Sequence, residues 1–164
     1  SFLQSKNLYT VDDLDNALHA MQDKIDTLKK SASSKQARIK EVDELLRMVD
    51  YYKSGKPAAD KLKSIRFEKS RQKYKAEHDN ELRTFYMAER KLKPHFKDGK
   101  LPIAAWRRER EQLEQDCKDI QTEFSPLHAD AKKLWAIHYN IYEVQHEQER
   151  QNAVTRQKKQ EMEH

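Results

Sequence analysis

Twelve positions of the chain, Val11, Leu14, Leu18, Met21, Ile25, Leu28, Ala32, Lys35, Ile39, Val42, Leu46 and Val49, follow one another in steps of three and four without a slip. Only Lys35 among them is not apolar. A repeat of about 3.5 residues sustained over this length is the signature of a coiled-coil seam, and it commits about a quarter of the chain to one helix. Thr10 with Asp13 three residues on, at the head of the pattern, reads as an N-cap with a carboxylate near the positive helix end. The first helix is therefore expected over 11–53, roughly 65 Å long at about 1.5 Å per residue. Ser54, Gly55, Lys56 and Pro57 are expected to end it, glycine supplying a left-handed cap and proline blocking continuation.

A second seam of the same quality follows Asp98 and Gly99, through Ile103, Trp106, Arg110, Leu113, Cys117, Ile120, Phe124, Leu127, Ala131, Leu134, His138 and Ile141. It predicts a third helix over about 102–144. Pro126 lies inside it, and the unbroken spacing favours a kinked helix over a fresh start capped by Ser125. Between the seams a weaker pattern, Leu62 and Ile65, then Tyr74, His78, Leu82, Phe85 and Leu92, predicts a middle helix over 58–95. Its halves are out of register, so an interruption is expected near 66–73. Residues 145–164 are almost all polar and read as a helical extension or frayed tail beyond a 1–144 bundle domain.

Composition agrees. Charged residues make up 37% of the 164 residues and hydrophobic ones 36%, and there are two glycines and four prolines. Strands need turns that this chain lacks the residues to make. The expectation is an all-α, elongated, three-helix, up-down-up coiled-coil-like bundle, with helix one parallel to helix three. A second arrangement breaks the middle segment and folds it across one end of a long two-helix pair.

The same residues bound the chemistry. Cys117 is the only cysteine, so no internal disulfide forms, and it reads as a small buried hydrophobe at a seam position. No Gly-rich phosphate loop, nucleophile elbow or paired-His zinc motif is present, so no catalytic residue, metal or cofactor is expected. His138 and His146 could share a helix face, but a seam histidine reads first as a packing residue. Trp106 and Trp135 are expected to pack. With a single cysteine a reducing, cytoplasmic setting is the default expectation, and the absence of an apolar run of about 20 residues points away from a membrane. A start at Ser1 rather than Met suggests an excised piece of a larger protein.

Charge is the feature that suggests a partner. Between Lys56 and Lys75 eight cations face two carboxylates, a surplus of six that accounts for the whole net charge of +5. Phe67 and Tyr74 interleave with them. Cations can hold phosphates while an aromatic ring stacks on an unpaired base, which makes Lys61, Lys63, Arg66, Lys69, Arg71, Lys73, Tyr74 and Lys75 the candidate nucleic-acid-binding residues. The alternative is a solvated helix face, with long seams free to dock a protein partner or a second copy.

Four stretches, Leu8 to Leu18 (LYTVDDLDNAL), Lys63 to Lys93 (KSIRFEKSRQKYKAEHDNELRTFYMAERKLK), Gly99 to Trp106 (GKLPIAAW) and Pro126 to Trp135 (PLHADAKKLW), resemble the region downstream of the nuclease domain in relaxases. Relaxases, or mobilization nucleases, of Gram-positive integrative and conjugative elements are proteins of mobile genetic elements. The resemblance implies a bacterial parent protein that nicks one strand at a transfer origin through a tyrosine during conjugation. It also implies that the nicking Tyr and metal-binding His cluster lie in an N-terminal domain missing here, so none of these tyrosines inherits that role. On this resemblance the piece is an accessory, non-catalytic domain helping to bind transfer-origin DNA. The alternative is an interaction or oligomerisation module for a coupling protein, a relaxosome component or itself.

Overall fold

The computed structural model describes Ser1–Glu163. Those residues form helices α1 (Phe2–Ser5), α2 (Val11–Ser64), α3 (Glu68–Glu77), α4 (Asp79–Leu92) and α5 (Ile103–Glu163), with one 3-10 turn at Lys93–His95. The fold is all-α. Helix α2 opens as its first residues dictate: the Thr10 hydroxyl accepts from the Asp13 N–H at 3.0 Å, and the Asp13 carboxylate accepts from the N–H groups of Tyr9 and Thr10, each at 3.1 Å. Both arms of a capping box are present, with Asp in place of Glu.

Helix α2 does not stop at residue 53. It passes through Gly55 and Pro57 to Ser64. Gly55 is a contact glycine rather than a cap: a Cβ there would sit 2.6 Å from the Phe85 Cβ and 3.1 Å from the Glu81 carbonyl oxygen. Pro57 removes a backbone donor and crowds the carbonyl of Lys53, at a cost of about 3 kcal/mol. Burial of Ala58, Ala59 and Leu62 against Leu82 and Phe85 opposes that cost, since each fully buried large side chain contributes about 1.5–3 kcal/mol. Pro126 likewise lies inside a continuous α5, so no new helix begins at Ser125. The polar segment after Val144 is helical to Glu163 and exposed.

The chain divides into two compact units. The first comprises Ser1–Ala32 and the chain from Asp119 onward. Its core is Leu14, Leu18 and Leu134, bordered by Phe2, Leu3, Leu8, Met21, Ile137 and Ile141. The His138 Nε2 lies 2.9 Å from an Asp15 carboxylate oxygen, and an ion pair joins Lys24 to Glu123 at 3.6 Å. As residue numbers rise on α2 they fall on α5, so the two helices run antiparallel.

The second unit is Ser33–Lys118. Here Lys35 meets Asp116 at 3.4 Å, Arg38 meets Glu109 at 2.6 Å, and Asp43 pairs with Arg110, again antiparallel. The expected parallel packing of helices one and three is thus corrected within each unit. The middle segment is broken twice, at residues 65–67 and at His78, and α4 returns antiparallel along the end of α2. Lys91 pairs with Glu44, and Phe85 packs at Gly55. Val42, Met48, Val49, Ala88, Leu92 and Trp106 close the core where α2, α4 and α5 meet. Within this unit the middle segment is therefore two helices, α3 and α4, in place of one.

Every position of the second seam is buried or half-buried, as is every position of the first except Val11. Lys35 keeps its stem at the seam while its ammonium reaches Asp116. Trp135 is packed only in part, edge-on to the His138 ring at 5.6 Å. It lies one position past the seam residue Leu134 and is 47% exposed.

Candidate nucleic-acid interface

The candidate site is built on the break between α2 and α3. Helix α2 ends with Ser64, whose hydroxyl donates to the Lys61 carbonyl at 2.6 Å. Ile65, half-buried, donates its N–H to the Leu62 carbonyl at 3.3 Å. Phe67 then takes an extended backbone, φ −84° and ψ 127°, and α3 starts from it with no side-chain cap. Its carbonyl accepts from the Arg71 N–H at 2.9 Å.

The Arg71 side chain turns back across this break. Its Nη1 donates to the carbonyl of Leu62 at 2.8 Å and to that of Ile65 at 3.2 Å. A guanidinium here satisfies orphaned carbonyls at the negative end of α2 and complements the helix dipole. Arg71 therefore fixes the angle between α2 and α3, and its charge is engaged inside the protein. Tyr74 is also inward: half-buried against the Ala58–Leu62 cluster, with its ring 4.2 Å from His78 and the Lys61 ammonium 5.6 Å from its centroid. These neighbours already engage the Tyr74 ring and leave less of it for stacking on a base.

The remaining candidates are exposed. Among the described residues no carboxylate lies within ion-pair distance of Lys63, Arg66, Lys69, Lys73 or Lys75, whereas Lys56 is held by Asp60 at 3.3 Å. Lys69 and Lys73 are four apart on α3 and share its outer face, roughly opposite Tyr74. Lys75 lies on the Arg71 side, along a cleft of about 440 Å³ that also holds Leu62, Asp79, Leu82, Arg83 and Tyr86. Arg83, not among the candidates from the sequence, adds a cation there, but it is paired with Asp79 four residues before it. The i, i+4 spacing would have signalled a helix-surface pair and not a site.

Phe67 is the one aromatic side chain of the stretch that faces solvent, 76% exposed at the turn. With Lys63, Arg66 and Lys69 within four residues of it, the break presents an open ring flanked by unpaired cations. Such a surface can neutralise phosphates and stack a planar, unpaired group.

Elsewhere, His138 lies 2.9 Å from the Asp15 carboxylate and is half-buried, and His146 lies against Tyr142, ring centroids 4.1 Å apart. Cys117 is half-buried. No group of three or more His, Cys, Asp or Glu among the described residues could hold a metal ion, and no helix among them is long and apolar enough to cross a membrane. No protein-family model, curated protein or solved structure matches this chain.

Proposed function

We propose that this chain is an accessory, non-catalytic module that holds nucleic acid at the α2–α3 break, and that it serves a conjugative relaxase by helping to bind transfer-origin DNA in the relaxosome. The observation that carries the nucleic-acid part is the set of five exposed, unpaired cations between residues 63 and 75, with an exposed phenylalanine among them in the sequence. The relaxase part is supported by the resemblance of the four sequence stretches alone. Affinity would come from phosphate neutralisation, which carries little sequence choice. Arg71 and Tyr74 act as supports of this surface, and the contacts fall to Lys63, Arg66, Phe67, Lys69, Lys73 and Lys75, with Lys61 beside Tyr74.

The test is fluorescence anisotropy of labelled single-stranded and duplex DNA with the whole chain and two variants. Changing Lys63, Lys69 and Lys73 together to Glu, with Arg71 left in place to keep the break intact, should abolish binding while circular dichroism stays unchanged. Phe67→Ala should weaken single-strand binding by about 1–3 kcal/mol, the worth of one stacked base, and leave duplex binding unaltered. Undiminished binding by the triple variant would remove the proposal.

A second reading, an interaction module for a coupling protein, a relaxosome component or a second copy, is favoured by a different observation. Trp135, Tyr139, Tyr142 and Val144 are 47%, 61%, 50% and 65% exposed on α5. Apolar docking there would be insensitive to salt, in contrast with phosphate binding.

A further inference from the structure

The connection between α4 and α5 carries a second cationic feature. Lys97 and Lys100 exchange both backbone hydrogen bonds, 2.9 Å each way, across the two-residue turn Asp98-Gly99. Asp98 and Gly99 both have positive φ, 51° and 73°, which is the type I′ geometry that an Asp-Gly pair favours. In such a pair the two lysine side chains leave the same face, with Cβ atoms about 4.5–5.5 Å apart. Like charges placed so are destabilising by some tenths of a kcal/mol unless something neutralises them. Among the described residues no carboxylate pairs with either lysine.

The hairpin is also held rigidly. Phe96 and Leu101, which flank it, pack against the Val42–Trp106 core, and His95 stands edge-on to the Trp106 ring at 5.4 Å. Pro94 and Pro102 restrict the backbone on either side. Together these residues wall a cleft of about 410 Å³ lined by Pro94, His95, Lys97, Lys100, Leu101 and Pro102. The fixed hairpin backbone keeps the two lysine stems side by side along this cleft, so only side-chain freedom is lost on taking an anion.

We propose that the Lys97–Lys100 hairpin is a second phosphate-binding point, each lysine taking one of two neighbouring phosphates of a nucleic acid whose other contact is the α2–α3 break. This rests on the nucleic-acid reading above. The two points lie beyond opposite ends of the 14-residue α4, a separation along that helix of roughly 20 Å, equivalent to about six phosphates of one duplex strand.

The test is the salt dependence of DNA binding by the full chain. Lys97→Gln with Lys100→Gln should lower the slope of log K against log salt by about 1.4 on single strands or about 1.8 on duplex, since each phosphate neutralised contributes about 0.7 or 0.9. Lys97→Arg with Lys100→Arg should keep the slope, which separates charge from damage to the hairpin. Neutralising Lys29 and Lys30, exposed cations of the other unit, should leave it unchanged. An unaltered slope in the Gln pair, with wild-type binding intact, overturns the hairpin site alone. An equal drop in the Lys29/Lys30 control overturns it as well, since net charge would then explain the effect. Absence of wild-type binding removes the nucleic-acid reading and the hairpin site with it.

Discussion

Gly55→Ala tests the packing that supports the candidate interface. In an exposed helix interior the change would stabilise by about 0.8–1 kcal/mol, because glycine is the poorer helix former. At Gly55 the new Cβ would meet the Phe85 Cβ at 2.6 Å and the Glu81 carbonyl at 3.1 Å. Ordinary carbon contact begins near 3.5 Å, so α4 must withdraw from α2 by about 0.9 Å or α2 must bend. Overpacking of this kind costs about 1–3 kcal/mol. The net expectation is destabilisation by roughly 0.5–2 kcal/mol, read from urea unfolding followed by circular dichroism. Phe85→Ala keeps the Cβ that makes the 2.6 Å contact, whereas Phe85→Gly removes it, so a double-mutant cycle with Phe85→Gly should return a coupling of about 1 kcal/mol in favour of the double variant. Gly55→Ala that stabilises, or that is additive with Phe85→Gly, would refute the close approach of α2 and α4 at this point.

Other substitutions probe the same region and the helix ends. Pro57→Ala should stabilise by about 1–3 kcal/mol in urea unfolding, because proline inside a helix forfeits about that much; a neutral or destabilising effect would indicate that the helix ends before it. Arg71→Met removes two charge-assisted hydrogen bonds to the end of α2, and a loss of about 1–2 kcal/mol is expected in thermal unfolding. Three carboxyls titrate below their ordinary range when folded: Asp13 through the backbone N–H groups of Tyr9 and Thr10, Glu109 through the Arg38 guanidinium, and Asp116 through the Gln112 amide and then Lys35. A carboxyl with a depressed folded pKa adds stability that is fully present above its unfolded value and drains away as pH falls through the folded one. Unfolding free energy measured by urea titration should therefore decline below about pH 4, and less steeply in Asp13→Asn.

The seams were legible because a 3.5-residue period names the face a helix buries, and that face is the buried one from Leu14 to Val49 and from Ile103 to Ile141. Periodicity does not encode the direction of the partner. The antiparallel course of α5 is written instead in specific pairs such as Arg38 with Glu109 and Asp15 with His138. Gly55 and Pro57 misled because glycine ends helices in isolation but admits a close neighbour in a packed core, and only Phe85, thirty residues away, distinguishes the two uses. Trp135 misled because a bulky aromatic beside a seam invites burial while the seam itself runs through Leu134. At the candidate interface the surplus of cations was plain from the sequence. The division of labour among them was not: Arg71 spans the break to reach Leu62, and Lys61 lies over Tyr74, contacts that depend on where α3 turns.

The most direct test of nucleic-acid binding at the α2–α3 break is the affinity of the whole chain for a short DNA measured across salt concentration. Five unpaired cations there should give a slope of log K against log salt of at least about −3.5 on single strands, reduced by about 2 when Lys63, Lys69 and Lys73 are neutralised. No binding at low salt, or affinity indifferent to salt and to those three lysines, would contradict it.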